Sequence, residues 1–344
     1  MASLCEHELA ALVSWCERSI SGFAGPISLQ KFDGGQSNPT YLMLASRGRY
    51  VLRRRPVGNL LPSAHAVDRE FRLMSALGKA GFAVPRTFAL CRDESIIGSE
   101  FYIMAAVEGL SFSDGALPGL SMDQRGSVYR AMTSTLADLH RIDPGPNGLA
   151  DYGKSGNYFE RQVSRWSTQY CASRTERLAD MDQLTHWLGT TVPRQSRTTI
   201  VHGDYRIDNL IFSEASSVEA VLDWELSTLG DPLADLSYYA LSWVMPPDGR
   251  AAIGGLDLAA LGIPKLEEVL DIYCARSGLS EVPDLKWYFA FNLFRYVAIL
   301  QGVKKRALDG NASNVNTATL VARIPDLAAL ACRFAEESSP HARD

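Results

Sequence analysis

The chain has 344 residues, 46% of them apolar and 21% charged, with a formal net charge of −5 at pH 7. That length exceeds what one ordinary core organises, so two lobes or domains are expected. The acidic balance argues against a nucleic-acid partner. Six cysteines (Cys5, Cys16, Cys91, Cys171, Cys274, Cys332) form no C-x-x-C pair, which argues against a zinc site or disulfide framework and fits a reducing compartment.

In chain order, Glu6, His7 and Glu8 come too early for a signal peptide. Residues 4–20 read as an amphipathic helix ending near Gly22. The segment "ISLQKFDGGQSNPTYLMLASRGRYVLRRRP" reads as strand, Gly-rich turn, strand, turn at "SRGR", strand. "SAHAVDREFRLMSALGKAGF" follows as a helix with Val67, Phe71, Met74 and Leu77 on one face. Two more strands are expected at "TFALCRD" and "EFYIMAAV". After Gly109 the pattern turns helical: "DQRGSVYRAMTSTLADLHRI", with Ser121 or Asp123 as cap, then "YFERQVSRWSTQYCA" and "RLADMDQLTHWLGTTV". Short strands around residues 199–228 interrupt, and "LADLSYYALSWV", "KLEEVLDIYCARSG", Trp287–Leu300 and "LVARIPDLAALACRFAEES" return to helix. The Trp287–Leu300 run contains Arg295 and is shorter than the roughly 18 uncharged residues of a membrane span, so no membrane partner is expected. The pattern predicts a cytoplasmic α+β protein: a small antiparallel sheet-rich lobe at 1–106, a larger helical lobe at 107–344, and a cleft near Ala105 to Gly109.

The stretch "VHGDYRIDNLIF", Val201 to Phe212, places His202, Asp204, Arg206, Asp208 and Asn209 between apolar ends. A polar turn between strands is one reading; a catalytic loop is the other. Asp204 precedes Asn209 by five residues, and Asp223 follows fourteen later in "VLDWE". A phosphoryl transferase needs a carboxylate to orient an attacking hydroxyl and oxygen ligands for Mg²⁺ on the nucleotide phosphates, and the kinase pattern H-R-D-L-x-x-x-N followed by D-F-G has this order.

"HGDYRIDN" with "LDWELSTLGDPLADL" resembles the catalytic segment of the aminoglycoside phosphotransferase and choline kinase family, which has a protein-kinase-like fold. "GGQSNPTYLM", "YVLRRRPVGNLLPSAHAVDREF", "GSEFYIMAAVEG" and "RQVSRWSTQY" extend the resemblance from Ile27 to Asn311, and it is nearest to the kinase-like domain that precedes an acyl-CoA dehydrogenase domain in some larger proteins. The resemblance implies Asp204 as catalytic base, Asn209 and Asp223 as Mg²⁺ ligands, His202 as a structural group, and Arg206 where protein kinases often have a phosphate-touching Lys. It implies ATP as phosphoryl donor. In "FDGGQSN", Gly34 and Gly35 let backbone N–H groups approach phosphates, and Ser37 and Asn38 add donors. Arg53 stands where the antibiotic kinases have Lys, with Glu70 as its partner, and Met104 completes the nucleotide-binding set.

Other groups carry less. Asp231 suits a helix cap before Pro232, whereas the family resemblance makes Asp235 a brace under the loop. Glu225 is within sequence reach of the metal, but a structural carboxylate is the plainer reading; His140 reads as a core histidine, and His65 as cap or contact. Arg54 and Arg55 are expected to point outward or lie in the turn; Trp15, Trp166 and Trp187 read as core. Arg295, Lys304, Lys305 and Arg306 suit either a solvated helix end or an anionic acceptor such as an acyl-CoA. The expected activity is transfer of the γ-phosphoryl group to a small-molecule hydroxyl, with 4-hydroxyacyl-CoA as the acceptor the relatives imply. The rivals are an antibiotic phosphotransferase and a non-catalytic nucleotide or acyl-CoA sensor.

Overall fold

The computed structural model describes residues 4–32, 38–56, 66–195, 197–247, 250–309 and 317–338. Helix α1 (Glu6–Ser19) is followed by strands β1 (Ile27–Lys31), β2 (Thr40–Ala45) and β3 (Gly48–Arg54), helix α2 (Val67–Lys79), and strands β4 (Thr87–Cys91) and β5 (Phe101–Ala105). The strands form one antiparallel sheet in the order β1-β2-β3-β5-β4. Side chains alternate across it. On one face Met43, Leu52, Phe101 and Ile103 pack with Leu12 and Cys16 of α1 and with Ile20 just after it. On the other, Val51, Tyr102 and Met104 join Val67, Leu73, Met74 and Leu77 of α2 in a core shared with the helical lobe. Arg53 pairs with Tyr102 in register; the period of two therefore aims Arg53 at the lobe interface. Arg54 lies on the opposite face and, contrary to expectation, is buried. Its Nε donates to Ser99 Oγ at 3.0 Å and its Nη2 to the Ile97 carbonyl at 2.6 Å, because a buried guanidinium must find acceptors.

The helical lobe begins with α3 (Met122–Arg141), where Ser121 Oγ accepts from the Gln124 N–H and Gln124 Oε1 accepts from the Ser121 N–H. Next come α4 (Tyr158–Ser173), α5 (Ala179–Thr190), β6 (Thr199–Val201), β7 (Leu210–Phe212), β8 (Val218–Val221), β9 (Thr228–Gly230) and α6 (Leu233–Ala240). The short α7 (Leu258–Leu261), α8 (Leu266–Ser277), α9 (Lys286–Leu308), α10 (Thr317–Ala322) and α11 (Ile324–Glu337) complete it. The single helix expected at the end is two, because Pro325 lies in the first turn of α11; there its missing N–H is tolerated, and inside a longer helix it is not. Among the described residues no helix is long and apolar enough to cross a membrane.

Two small two-stranded sheets interrupt the helices and shape the site. β6 pairs with β9, Val201 opposite Thr228, and β7 pairs with β8, Leu210 opposite Val221. The connection between the lobes is pinned against β7: Leu110 and Phe212 exchange backbone hydrogen bonds of 2.7 and 2.9 Å. Gly109, at φ +152°, passes so close that a Cβ would collide with the Phe212 carbonyl oxygen.

Candidate active site

The strand registers decide which distant residues meet. Val201 enters and Leu210 leaves the loop 202–209, and each is locked into a different strand pair. The Leu222 N–H donates to the Asn209 carbonyl at 2.8 Å, which sets Asp223 beside the loop's far end. Asp223 itself is left-handed, with φ 62° and ψ 63°, a conformation a non-glycine residue keeps only where its surroundings enforce it.

Asp204 is held on both carboxylate oxygens. Tyr238 Oη donates to Oδ1 at 2.7 Å, and Asn209 Nδ2 donates to Oδ2 at 3.1 Å and to the Asp204 carbonyl at 2.8 Å. With Nδ2 so engaged, the Asn209 amide oxygen is the atom left for a cation. Arg206 Nε lies 3.8 Å from Asp204 Oδ2, and Arg206 Nη2 is ion-paired with Asp208. Burial pushes the Asp208 carboxyl above its usual value, against the pull of Arg206.

His202 is fully buried and serves the loop rather than the chemistry. Its Nδ1 accepts the Asp204 N–H at 3.2 Å and its Nε2 faces the Leu222 carbonyl at 2.8 Å, the arrangement of a ring that carries its proton on Nε2. The Trp224 ring packs on it at 4.6 Å between centroids. Gly203 has φ +86°, and a Cβ there would lie 2.8 Å from the Leu226 carbonyl oxygen, so the middle of His-Gly-Asp has no room for a side chain. Below the loop, Asp235 of α6 accepts the N–H groups of His202 and Gly203 at 2.6 and 2.8 Å. Asp235 is the brace the resemblance implied. Burial pushes its carboxyl up, but His140 at 3.4 Å and the Gly203 N–H outweigh that and hold it below the usual carboxylate value. His140 is a buried core histidine, bonded to Tyr273 Oη at 2.7 Å, and burial keeps it below its ordinary value. Asp231 caps the first turn of α6 by accepting the Leu233 N–H at 2.9 Å.

From the sheet side, Arg53 approaches Glu70 Oε2 at 2.8 Å through Nε and Asp223 Oδ1 at 2.8 Å through Nη2, with Glu225 Oε2 at 3.4 Å. The Nε contact is an ion pair without an aligned hydrogen bond. Glu70 also accepts from Asn38 Nδ2 at 2.8 Å and Tyr102 Oη at 3.1 Å. Burial pushes Glu70 up to about 7, while Arg53 pulls it down. Met104 sits near the end of β5, opposite Val51, on the face toward the helical lobe. Asn38, Arg53, Glu70, Asp204, Arg206, Asn209 and Asp223 are therefore placed around one interface; Gly34, Gly35, Ser37 and His65 lie outside the described residues.

Three features are not marked in the sequence: Tyr238, Glu225 as a partner of Arg53, and the contact of Arg295 with the loop. Arg295 Nη2 donates to the Gly203 carbonyl at 2.9 Å, and its guanidinium lies 5.4 Å from the ring centres of both Trp166 and Tyr238. Trp166 thus contacts a cation as well as the core. The suggestion that Arg295, Lys304, Lys305 and Arg306 together face an anionic acceptor is corrected. Lys304 pairs with Glu176 at 2.6 Å and Lys305 donates to the Ala172 carbonyl at 2.9 Å, at the far end of α4. A cavity of about 120 Å³ does open beside the loop, lined by Arg206, Tyr238, Leu241, Met245, Arg250 and Tyr296 among others.

The family model of the phosphotransferase enzyme family matches residues 28–269, which takes in the sheet, the loop and α6. The chain belongs to this family. It is 46% identical over 314 residues to acyl-CoA dehydrogenase family member 10 of Mus musculus, covering 90% of this chain and 29% of that protein. It is 38% identical over 311 residues to acyl-CoA dehydrogenase family member 11 of Homo sapiens, covering 88% and 40%. The chain thus spans well under half the length of these curated relatives. A solved structure from Ralstonia eutropha JMP134, described provisionally as an aminoglycoside phosphotransferase, is 43% identical with a TM-score of 0.87, covering 96% of this chain and 98% of that one. The streptomycin–ATP complex of APH(2″)-IIa, at 16% identity and TM-score 0.59 over 93% of this chain and 99% of that one, shares the fold alone. That fold is protein-kinase-like, with an antiparallel-sheet lobe and a helical lobe.

Proposed function

We propose that the chain is an ATP- and Mg²⁺-dependent phosphotransferase with an alcohol acceptor, acting in the cytoplasm and built from a nucleotide-binding lobe (residues 1–106) and a helical lobe (107–344) that carries the catalytic loop. The observation that carries this reading is Arg53, a sheet residue within 2.8 Å of both Glu70 and Asp223. It joins the two halves of a nucleotide site at the residue the resemblance makes a metal ligand.

The donor set fits Mg²⁺. A carboxylate (Asp223) and an amide oxygen (Asn209) are hard ligands, and Mg²⁺ bound to nucleotide usually takes only one or two protein ligands, the phosphates and waters supplying the rest. Among the described residues no cluster of three or more His, Cys, Asp or Glu could hold a metal alone, which agrees with such a shared site. Around Arg53 one guanidinium faces three carboxylates, Glu70, Asp223 and Glu225, an excess that a divalent cation offsets. Mg-ATP supplies the γ-phosphoryl group when bound. Arg53, with Asn38, Gly34, Gly35, Ser37 and Met104, serves the nucleotide; Glu70 positions Arg53. Asp204 orients the acceptor hydroxyl and takes its proton as the new O–P bond forms and ADP leaves. Arg206 stands beside Asp204 to meet charge on the transferred group.

For the acceptor, the described residues that line the cavity beside the loop are two guanidinium groups (Arg206 and Arg250), the hydroxyl-bearing Tyr238, Ser242 and Tyr296, and apolar side chains, with no carboxylate among them. That lining disfavours a polycation and suits an acceptor with anionic and alkyl parts. A hydroxyacyl-CoA meets this description, and the curated relatives bear acyl-CoA dehydrogenase names. An antibiotic acceptor has support in the name of the 43% identical structure. A screen with labelled ATP decides, offering 4-hydroxyacyl-CoAs, aminoglycosides, macrolides, choline and homoserine to the wild type and to Asp223→Ala. Transfer to a hydroxyacyl-CoA, abolished in Asp223→Ala, is the expected result; transfer to an aminoglycoside alone refutes the acceptor class. Undiminished transfer in Asp223→Ala refutes the metal assignment.

A further inference from the structure

Helix α6 reaches the loop twice. Asp235 holds the backbone N–H groups of His202 and Gly203, and Tyr238, three residues on and therefore on the same helix face, holds the Asp204 carboxylate itself. We infer that Tyr238 is a positioning residue, whose hydroxyl fixes the rotation of the Asp204 carboxylate so that a lone pair faces the acceptor. This rests on the phosphotransferase reading above.

The geometry gives Tyr238 a task that no other described group performs. The terminal torsion of an Asp side chain is broad and roughly two-fold, so one hydrogen bond leaves the carboxylate free to swing. Asn209 restrains Oδ2 at 3.1 Å, and Tyr238 restrains Oδ1 at 2.7 Å. The pair clamps both oxygens. Tyr238 is itself held: Arg295 lies 5.4 Å from the ring centre while bonded to the Gly203 carbonyl, so ring and loop share one anchor. Burial pushes the Tyr238 hydroxyl well above its ordinary value, so it stays a donor. The same ring lines the cavity beside the loop, from which an acceptor hydroxyl would approach the clamped carboxylate.

The test is Tyr238→Phe, which removes one oxygen and keeps the ring, measured with Mg-ATP as donor and both water and a 4-hydroxyacyl-CoA as acceptors. The expected result is a kcat lower by about tenfold or more for both acceptors, since small misplacements of reacting groups have effects of this size. KM for Mg-ATP and Tm should stay at wild-type values. In an Asp204→Asn background, Tyr238→Phe should have little further effect, because residues acting as a unit are non-additive. Wild-type kcat in Tyr238→Phe, or the same fold-loss in both backgrounds, overturns the inference while leaving Asp204 as the base. If the screen above finds transfer only to another acceptor, the same comparison is made with that acceptor. A wild type that transfers to none of them overturns the phosphotransferase reading, and full activity in Asp204→Asn overturns the role of Asp204, each taking the role of Tyr238 with it.

Discussion

The underside of the catalytic loop and its nucleotide face are built on opposite plans. Beneath the loop, His202, Asp235 and His140 are buried and each is matched to a partner, with two imidazoles, one carboxylate and paired backbone N–H groups. Toward the nucleotide, a single guanidinium is shared by three carboxylates, one of which, Asp223, is more than a third exposed. The first region is satisfied without a ligand and fixes position. The second carries excess negative charge and is shaped for a cation. A phosphoryl-transfer centre needs both, since positioning and electrostatic stabilisation are most of the catalysis.

The comparison breaks most sharply at Asp235. Asp235→Ala strips the acceptor from two buried N–H groups and should lower stability by about 2–6 kcal/mol, at about 1–3 for each donor left unsatisfied, read by urea unfolding; an unchanged midpoint would mean the brace is dispensable. Gly203→Ala should lower stability by roughly 1–3 kcal/mol through strain at positive φ and reduce turnover, because the Leu226 carbonyl blocks a side chain. On the nucleotide face, single and double alanine variants of Arg53 and Glu70 should weaken Mg-ATP binding, Arg53 more, with a coupling of about 0.5–3 kcal/mol. Simple additivity in calorimetric titrations would show they are not a pair. The smallest effect concerns pH. His140 is held below its ordinary value near 6.5, so as pH falls the unfolded chain protonates first. Its contribution is complete above that ordinary value and is lost as pH drops through the lower folded one, by at most about 1.4 kcal/mol per pH unit. His140→Gln should flatten the slope of unfolding free energy between pH 7.5 and 5.5; an unaltered slope would place the acid sensitivity elsewhere.

How much of this was legible in the sequence follows the same division. Five strands, α2 and the order of lobes came from local alternation and helical spacing, and Asp204, Asn209 and Asp223 from their separations along the chain. Asp235 came from the family resemblance. Tyr238, the pairing of Glu225 with Arg53 and the bond from Arg295 to the loop did not show, because these partners lie 34, 172 and 92 residues away and nothing in "LSYY" or "NLFRY" marks the side chain that will meet the loop. Lys304 and Lys305 misled for a related reason. A basic run at a helix end looks the same whether it faces a substrate or, as here, grips a neighbouring helix. Arg54 was misplaced because strand alternation gives the face of a residue without saying whether that face is covered, and α1 covers it.

The most direct test of the central claim, that the loop 202–209 is a phosphoryl-transfer loop, is Asp204→Asn assayed for turnover and for Mg-ATP affinity in the same preparation. The substitution keeps the size of the side chain and removes the proton acceptor, while Asn209 and Asp223 remain. Turnover should fall on the order of 10²-fold or more, the range for a positioned general base, with Mg-ATP affinity at the wild-type value. Full phosphoryl transfer by Asp204→Asn would contradict the account.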